Sequence, residues 1–158
     1  LNGQSSVLQI GCDKGFLLND FLQIHQNMKV RGTEISEYPI EQAMESVKSN
    51  IEKAPFTKLP FDENEFDLVL ALGAVYTLNL GDAIQCLKEI QRVSKGKSFI
   101  TLGSYTNEES FKLFRNWTLL GTTILHEKEW VEVLKHVGYT GDYKFTGAKS
   151  LHLISEKS

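Results

Sequence analysis

The sequence is poor in the residues and patterns that mark several classes of protein. It has 2 cysteines and 3 prolines in 158 residues. Cys12 and Cys86 stand in unrelated contexts and form neither a disulfide framework nor a metal-binding pattern, so we expect a protein of the reducing cytoplasm. The most apolar run, residues 66–80, is interrupted by polar residues and is too short to cross a bilayer, so no membrane contact is expected.

Charge balance and histidine spacing exclude two further classes of function. The chain has 17 basic and 20 acidic residues, which gives a formal net charge of −3. Because a nucleic acid backbone attracts positively charged surfaces, no nucleic acid partner is expected. The four histidines are scattered, without the spacing by which two of them could hold a metal ion from one helix, and we predict no metal site.

The apolar content of the sequence is sufficient for one continuous core. Hydrophobic residues make up 41% of the chain, and 158 residues is the size of one domain. No internal repeat or linker divides it, so residues 1–158 are predicted to form a single domain. The chain begins at Leu1 rather than at methionine, and we expect a further N-terminal segment in the full protein.

Strands and helices are predicted to alternate along the chain. The predicted strands are 6–10, 28–35, 66–72, 97–102, 143–145 and 150–154. The predicted helices follow residue 15, run from Ser36 through Val47, follow residue 79, and span 107–118 and 127–137. Residues 50–59 fit a short edge strand or a loop. This alternation is typical of right-handed βαβ crossovers. We therefore predict an α/β fold of the Rossmann-like, doubly wound type, with a mostly parallel sheet, helices on both faces and an antiparallel C-terminal strand.

Two features at the ends of the first two predicted strands indicate a nucleotide-type ligand. The segment 11–15, Gly-Cys-Asp-Lys-Gly, joins a strand to a helix N-terminus, where backbone N–H groups can approach a ligand closely. Glu34 ends the second strand, where a carboxylate can accept hydrogen bonds from both ribose hydroxyls of an adenosine. Together they predict an adenosine site.

The same loop fits a dinucleotide poorly. Dinucleotide-binding proteins have a third glycine where the helix packs closely on the strand, and Phe16 stands at that position here. A nicotinamide-dependent oxidoreductase shares the ribose carboxylate, and we retain it only as a third hypothesis.

Four segments, in order, resemble the motifs of class I S-adenosylmethionine-dependent methyltransferases. They are VLQIGCDKG at 7–15, GTEIS at 32–36, LPFDENEFDLV at 59–69, and residues 83–97. The helix and turn at 130–139 also resemble that family, and the similarity extends over nearly the whole chain, in the manner of a small bacterial methyltransferase-domain protein. The resemblance implies S-adenosylmethionine as cofactor and methyl transfer to an unidentified, small-molecule acceptor; it implies nothing about oligomeric state.

The resemblance also implies which residues contact the cofactor. The glycine-containing loop lies at the methionine end, Glu34 at the ribose, Ile35 and Phe56 at the adenine, and Leu72 on the sulfonium side. The full set of candidate cofactor-binding residues is Gln9, Gly11, Cys12, Asp13, Gly15, Glu34, Ile35, Phe56 and Leu72. No catalytic residue is assigned, because methyl transfer depends chiefly on positioning.

Two tyrosines are candidates for contacts with the acceptor. Tyr76 and Tyr105 follow the predicted strands 66–72 and 97–102 at their carboxyl ends, where ligands bind in sheets of this kind. Simple packing at the edge of the sheet explains them equally well.

Three positions depart from the family pattern. Gln9 and Pro55 stand where carboxylates are usual, and Asp13 replaces the middle glycine of the loop. These departures leave open an alternative function, a non-catalytic binding module of the same fold with a degenerate cofactor site.

Overall fold

Seven strands and five helices alternate along residues 1–154, the part of the chain that this computed structural model describes. The strands are β1 (Ser6–Ile10), β2 (Lys29–Glu34), β3 (Ile51–Lys53), β4 (Leu68–Ala71), β5 (Ser98–Tyr105), β6 (Leu125–His126) and β7 (Asp142–Thr146). The helices are α1 (Phe16–Ile24), α2 (Glu37–Glu41), α3 (Leu80–Val93), α4 (Glu108–Trp117) and α5 (Glu127–Val137). Short 3₁₀ turns occupy Lys48–Asn50 and Val75–Thr77.

The strands form one sheet in the order β3-β2-β1-β4-β5-β6, with β7 also paired to β5. β1 lies at the centre, paired in parallel with β2 on one side and β4 on the other. β7 pairs with residues 99–103 of β5, and the two-residue strand β6 pairs with residues 104–105. The doubly wound, mostly parallel sheet predicted from the sequence is confirmed.

Side chains from both faces of the sheet build the core. In β1, Leu8 and Ile10 pack in one apolar cluster and Val7 in another. The first cluster includes residues of α3, α4 and α5, and the second includes Leu18 of α1. Because β1 is covered on both faces, residues 7–10 are all buried and the strand shows no alternation of buried and exposed residues.

The C-terminal strand differs from the prediction. β7 runs parallel to β5, from the pair Phe99 and Asp142 to the pair Gly103 and Thr146, where an antiparallel strand was expected. The chain reaches β7 through the helix α5, and a helical crossover brings a strand back in the parallel direction.

The predicted strand at 150–154 is also wrong, since these residues form turns and bends. The N–H of Leu151 donates to the carbonyl of Gly147 at 3.1 Å, and that of Leu153 to the carbonyl of Ala148 at 2.8 Å. Local hydrogen bonds therefore replace the strand pairing that the alternating apolar pattern indicated.

The second helix is shorter than its pattern predicts. α2 ends at Glu41, and a series of turns follows instead of a helix through Val47. The N–H of Met44 donates to the carbonyl of Lys14, at 3.0 Å, so a long-range contact interrupts the helix. Ala43 and Val47 are nevertheless buried, which shows that the apolar pattern was a correct guide to burial.

No helix among residues 1–154 is long and apolar enough to cross a bilayer.

Candidate cofactor-binding site

A cleft of about 520 Å³ lies at the carboxyl ends of β1, β2 and β4. The order of the strands reverses at this edge, because the chain continues from β1 to β2 on one side, whereas β4 pairs with the other side of β1. Ligands bind at such switch points in parallel sheets. The volume is within the range of roughly 300–1,000 Å³ typical of small-molecule sites. Six of the residues predicted from the sequence line the cleft: Gly11, Asp13, Glu34, Ile35, Phe56 and Leu72.

The end of β1 is tied to the end of β2 by backbone hydrogen bonds. The N–H groups of Gly11 and Cys12 both donate to the carbonyl of Thr33, at 2.9 and 3.2 Å. Gly11 has a φ of 68°, and a Cβ atom there would lie 3.0 Å from Cβ of Ala74 and 3.4 Å from the Phe56 ring. A glycine at this position therefore keeps the floor of the cleft free of a side chain.

The Glu34 carboxylate is held by two backbone donors. Its Oε2 accepts a hydrogen bond from the N–H of Asp13 at 3.1 Å, and its Oε1 accepts one from the N–H of Ile35 at 2.8 Å. A carboxylate oxygen has two acceptor positions, so each oxygen can still accept a hydrogen bond from a ligand in the cleft. The group is thus fixed in direction and available to a pair of hydroxyls.

Asp13 has an unusual backbone conformation for a residue with a side chain. Its φ of 48° lies in the left-handed region, where aspartate and asparagine occur more often than other non-glycine residues. This conformation directs its N–H to Glu34 and places Asp13 itself at the wall of the cleft. The backbone of the loop, rather than a side chain, therefore orients the glutamate.

Three residues predicted to bind the cofactor do not line the cleft. Gln9 is 7% exposed, and its Oε1 has no hydrogen-bond partner among the described residues. Cys12 is buried, and burial together with the nearby Glu34 charge raises the pKa of its thiol to about 12. Gly15 is the N-cap of α1 and has a φ of 78°; a Cβ atom there would lie 2.6 Å from Cγ2 of Val47. All three therefore lie outside the lining of the cleft.

Neither candidate tyrosine lines the cleft. Tyr76 is 9% exposed and packs against Phe114 with ring centroids 6.1 Å apart, and burial raises the pKa of its hydroxyl. Tyr105 packs edge-on against Phe111 and His126. It lines a separate cavity of about 360 Å³ beside β7.

The far wall of the cleft was not predicted from the sequence. It contains Gly73, Thr77, Leu78 and Leu120, together with Ala74. Leu120 reaches this wall because the N–H groups of Thr122 and Thr123 both donate to the carbonyl of Tyr76, at 2.9 Å each. No local pattern in the sequence signals a contact of this range.

An ion pair between the buried Glu89 and the half-buried Arg92 fixes the segment that follows Phe56. Oε2 of Glu89 accepts a hydrogen bond from the N–H of Leu59 at 2.7 Å, and the same carboxylate pairs with Arg92. The Arg92 guanidinium in turn donates to the carbonyls of Phe61 and Leu59, at 2.8 and 3.1 Å. Helix α3 thereby holds the loop that carries Phe56 to the cleft. The only signal of this pair in the sequence is the spacing of opposite charges three residues apart.

Comparison with known proteins identifies relatives of this chain. A family model described as a methyltransferase domain matches residues 8–102. The cycloartenol-C-24-methyltransferase of Arabidopsis thaliana is 38% identical over 96 residues, which is 56% of this chain and 28% of that protein. The chain therefore spans less than a third of the length of this curated relative.

Solved structures have the same fold. A SAM-dependent methyltransferase from Methanosarcina mazei superposes with a TM-score of 0.68 at 17% identity, covering 87% of this chain and 80% of that one. The YcgJ protein of Bacillus subtilis superposes with a TM-score of 0.69 at 17% identity, covering 86% of this chain and 62% of that one.

The resemblance seen in the sequence motifs is thus confirmed by an independent family match, which covers more than half of the chain. The match includes the loop after β1, the end of β2 and the whole of β4, and it contains every residue that lines the cleft except Leu120. This chain belongs to the methyltransferase-domain family, whose cofactor is S-adenosylmethionine.

Proposed function

We propose that this chain binds S-adenosylmethionine in the cleft and transfers its methyl group to a small-molecule acceptor. The observation that carries the proposal is the Glu34 carboxylate, which two backbone N–H groups hold in place while each oxygen keeps an acceptor position free. Vicinal ribose hydroxyls are the donors that suit such a carboxylate.

The remaining residues of the cleft fit the other parts of the cofactor. Ile35 is 51% exposed and Phe56 lies at the floor of the cleft, so both offer apolar surface to the adenine. Asp13 offers a negative charge to the cationic methionine end. Gly11 leaves the space that a side chain would occupy.

When bound, the cofactor supplies an electrophilic methyl group on a positively charged sulfur. The chain's own contribution is to hold the acceptor in line with that methyl and to exclude water. The apolar wall of the cleft, which includes Leu72, Leu78 and Leu120, holds the acceptor there and excludes water. No proton-transfer residue is required for this role.

Two further observations support a small-molecule acceptor and a cytoplasmic location for this activity. The relative named for methylating cycloartenol acts on a small molecule, which supports an acceptor of that kind here. Cys12 and Cys86 are both free and buried, as expected of a protein in the reducing cytoplasm.

A label-transfer experiment tests the proposal. The protein is incubated with methyl-labelled S-adenosylmethionine and a deproteinised cell extract, and the label is followed into other small molecules. We expect transfer by the wild type and by Glu37→Ala, whose side chain lies outside the cleft, and strongly reduced transfer by Glu34→Ala. Binding of S-adenosylhomocysteine without any transfer of label would contradict the catalytic half of the proposal and leave a binding module.

A further inference from the structure

The cleft has a charged end and an uncharged end. Asp13 and Glu34 lie at the end formed by β1 and β2. The opposite wall, formed by the segment after β4 and by the 118–124 loop, consists of Leu72, Gly73, Ala74, Thr77, Leu78 and Leu120. Within the described residues, no ionisable side chain lines that second wall.

The 118–124 loop holds Leu120 at the cleft in a fixed position. Arg115 donates a hydrogen bond to the carbonyl of Gly121, and the N–H of Gly121 donates to Oγ1 of Thr118 at 3.1 Å. The bonds from Thr122 and Thr123 to Tyr76 fasten the other end of the loop. Leu119 and Leu120 are nevertheless 94% and 76% exposed, so two leucines are presented to solvent from an anchored turn. Only Leu120 lines the cleft.

The uncharged wall selects against ions. A charged acceptor would lose water on entering this part of the cleft and would find no opposite charge there. An apolar body would instead cover Leu72 and Leu120, which are exposed to solvent in the open cleft, and would gain from their burial. Among the residues of this wall that the structure describes, Thr77 carries the one hydroxyl. It donates to the carbonyl of Ala74 at 2.6 Å, which leaves its oxygen as an acceptor for a neutral O–H group.

We infer that the acceptor is an uncharged molecule with an apolar body that lies between Leu72 and Leu120, with Leu120 as a specificity-determining residue. This inference rests on the proposed function, because it assigns the charged end of the same cleft to the cofactor. It specifies the class of acceptor, which the methyltransferase family match leaves open.

Calorimetric titrations with short probes test the inference. Decanol, undecanoate and decylammonium have the same decyl chain and differ in the charge of the head group. Each is titrated into the protein, both alone and saturated with S-adenosylhomocysteine. With the charged end of the cleft occupied by S-adenosylhomocysteine, we expect decanol to bind at least about tenfold more tightly than either charged probe. Equal binding of undecanoate and decanol to this complex would overturn the inference.

Neighbouring leucines provide a matched pair of variants. Leu120→Ser is expected to weaken decanol binding about fivefold, whereas Leu119→Ser changes it by less than about twofold, because Leu119 lies outside the cleft. Equal effects of both variants would show a general surface patch and overturn the inference. Both variants should bind S-adenosylhomocysteine like the wild type. Failure of the wild type to bind S-adenosylhomocysteine refutes the proposed function, while failure of decanol alone refutes only the inference about the acceptor.

Discussion

Among single residues, Glu34 is the side chain that we propose as the main contact with the cofactor. Replacing it by alanine removes the acceptor of the two charge-assisted hydrogen bonds that we propose for the ribose, and we expect Glu34→Ala to weaken S-adenosylhomocysteine binding by about 1.5–3 kcal/mol. The free energy of unfolding should change little, since the N–H groups of Asp13 and Ile35 lie at an open cleft where water can replace the carboxylate. Calorimetric titration measures the affinity, with Glu37→Ala as control; an unchanged dissociation constant would remove Glu34 from the site.

Asp13 has two opposing effects on ligand binding in the same cleft. Its charge attracts the ammonium group that S-adenosylmethionine and S-adenosylhomocysteine share, by about 1 kcal/mol in a solvated cleft. Its Cβ and carboxylate occupy space that glycine leaves open, and its φ of 48° is one that glycine adopts without strain. We expect the steric terms to exceed the attraction, so that Asp13→Gly tightens S-adenosylhomocysteine binding.

Asp13→Asn separates the two effects, because it removes the charge and keeps a side chain of the same shape. Titration of all three proteins at one salt concentration provides the comparison. A several-fold loss of affinity in the glycine variant would contradict the prediction, and would show that Asp13 supplies the negative charge that Gln9 lacks.

At the scale of elements, Gly15 and Gly138 provide a matched pair at the start of α1 and the end of α5. Their φ values are 78° and 72°, so alanine is strained at both. Only at Gly15 does the new Cβ meet a neighbour, Val47. We expect Gly15→Ala to lower the free energy of unfolding by about 1–3 kcal/mol more than Gly138→Ala. Urea unfolding measures both variants, and equal losses would mean that the contact with Val47 relaxes at no cost.

The pair of Glu89 and Arg92 makes the stability of the Phe56 loop depend on pH. Hydrogen bonds from Arg92 and from the backbone of Leu59 hold the pKa of Glu89 below its ordinary value of 4.5. A carboxyl group with a lowered folded-state pKa stabilises the fold at pH values above its unfolded pKa, and this contribution is lost as the pH falls through the folded value. Stability from this pair is therefore complete at neutral pH and declines below about pH 4.5.

The variant Glu89→Gln tests this dependence. At pH 7 we expect its free energy of unfolding to be about 1–3 kcal/mol below that of the wild type. The difference should shrink as the pH falls below 4.5, the ordinary value of the group. Glu132→Gln, which breaks an exposed pair with Lys135, serves as control and should have little effect. A difference for Glu89→Gln that stays constant with pH would contradict the prediction.

For the whole molecule, the sequence predicts those features that local pattern and chain direction determine. The order of strands and helices follows from apolar periodicity, and Gly11 and Glu34 come to one cleft because parallel strands end at the same edge of a sheet. The length of α2 could not be predicted, because the contact of Met44 with Lys14 that interrupts it is formed only in the folded chain. Leu120 was missed for the same reason, since hydrogen bonds to Tyr76 bring its loop to the cleft.

The same reasoning explains the error at the C-terminus. Apolar alternation in 150–154 predicts a strand, but it gives no information on whether a neighbouring strand edge is within reach. Here β7 takes the edge of β5, and the following residues make local turns. Alternation determines which residues favour burial, whereas the sheet determines which of them pair.

Parallel calorimetric titrations with S-adenosylhomocysteine and with NAD test most directly the central claim, that the cleft is an S-adenosylmethionine site. Both ligands carry an adenosine, so Glu34 alone does not distinguish them, whereas the loop at 11–15 lacks the third glycine that a pyrophosphate site uses. We expect S-adenosylhomocysteine to bind with a stoichiometry of about one per chain and NAD to show no binding under the same conditions. Binding of NAD in place of S-adenosylhomocysteine, or of neither ligand, would contradict the account.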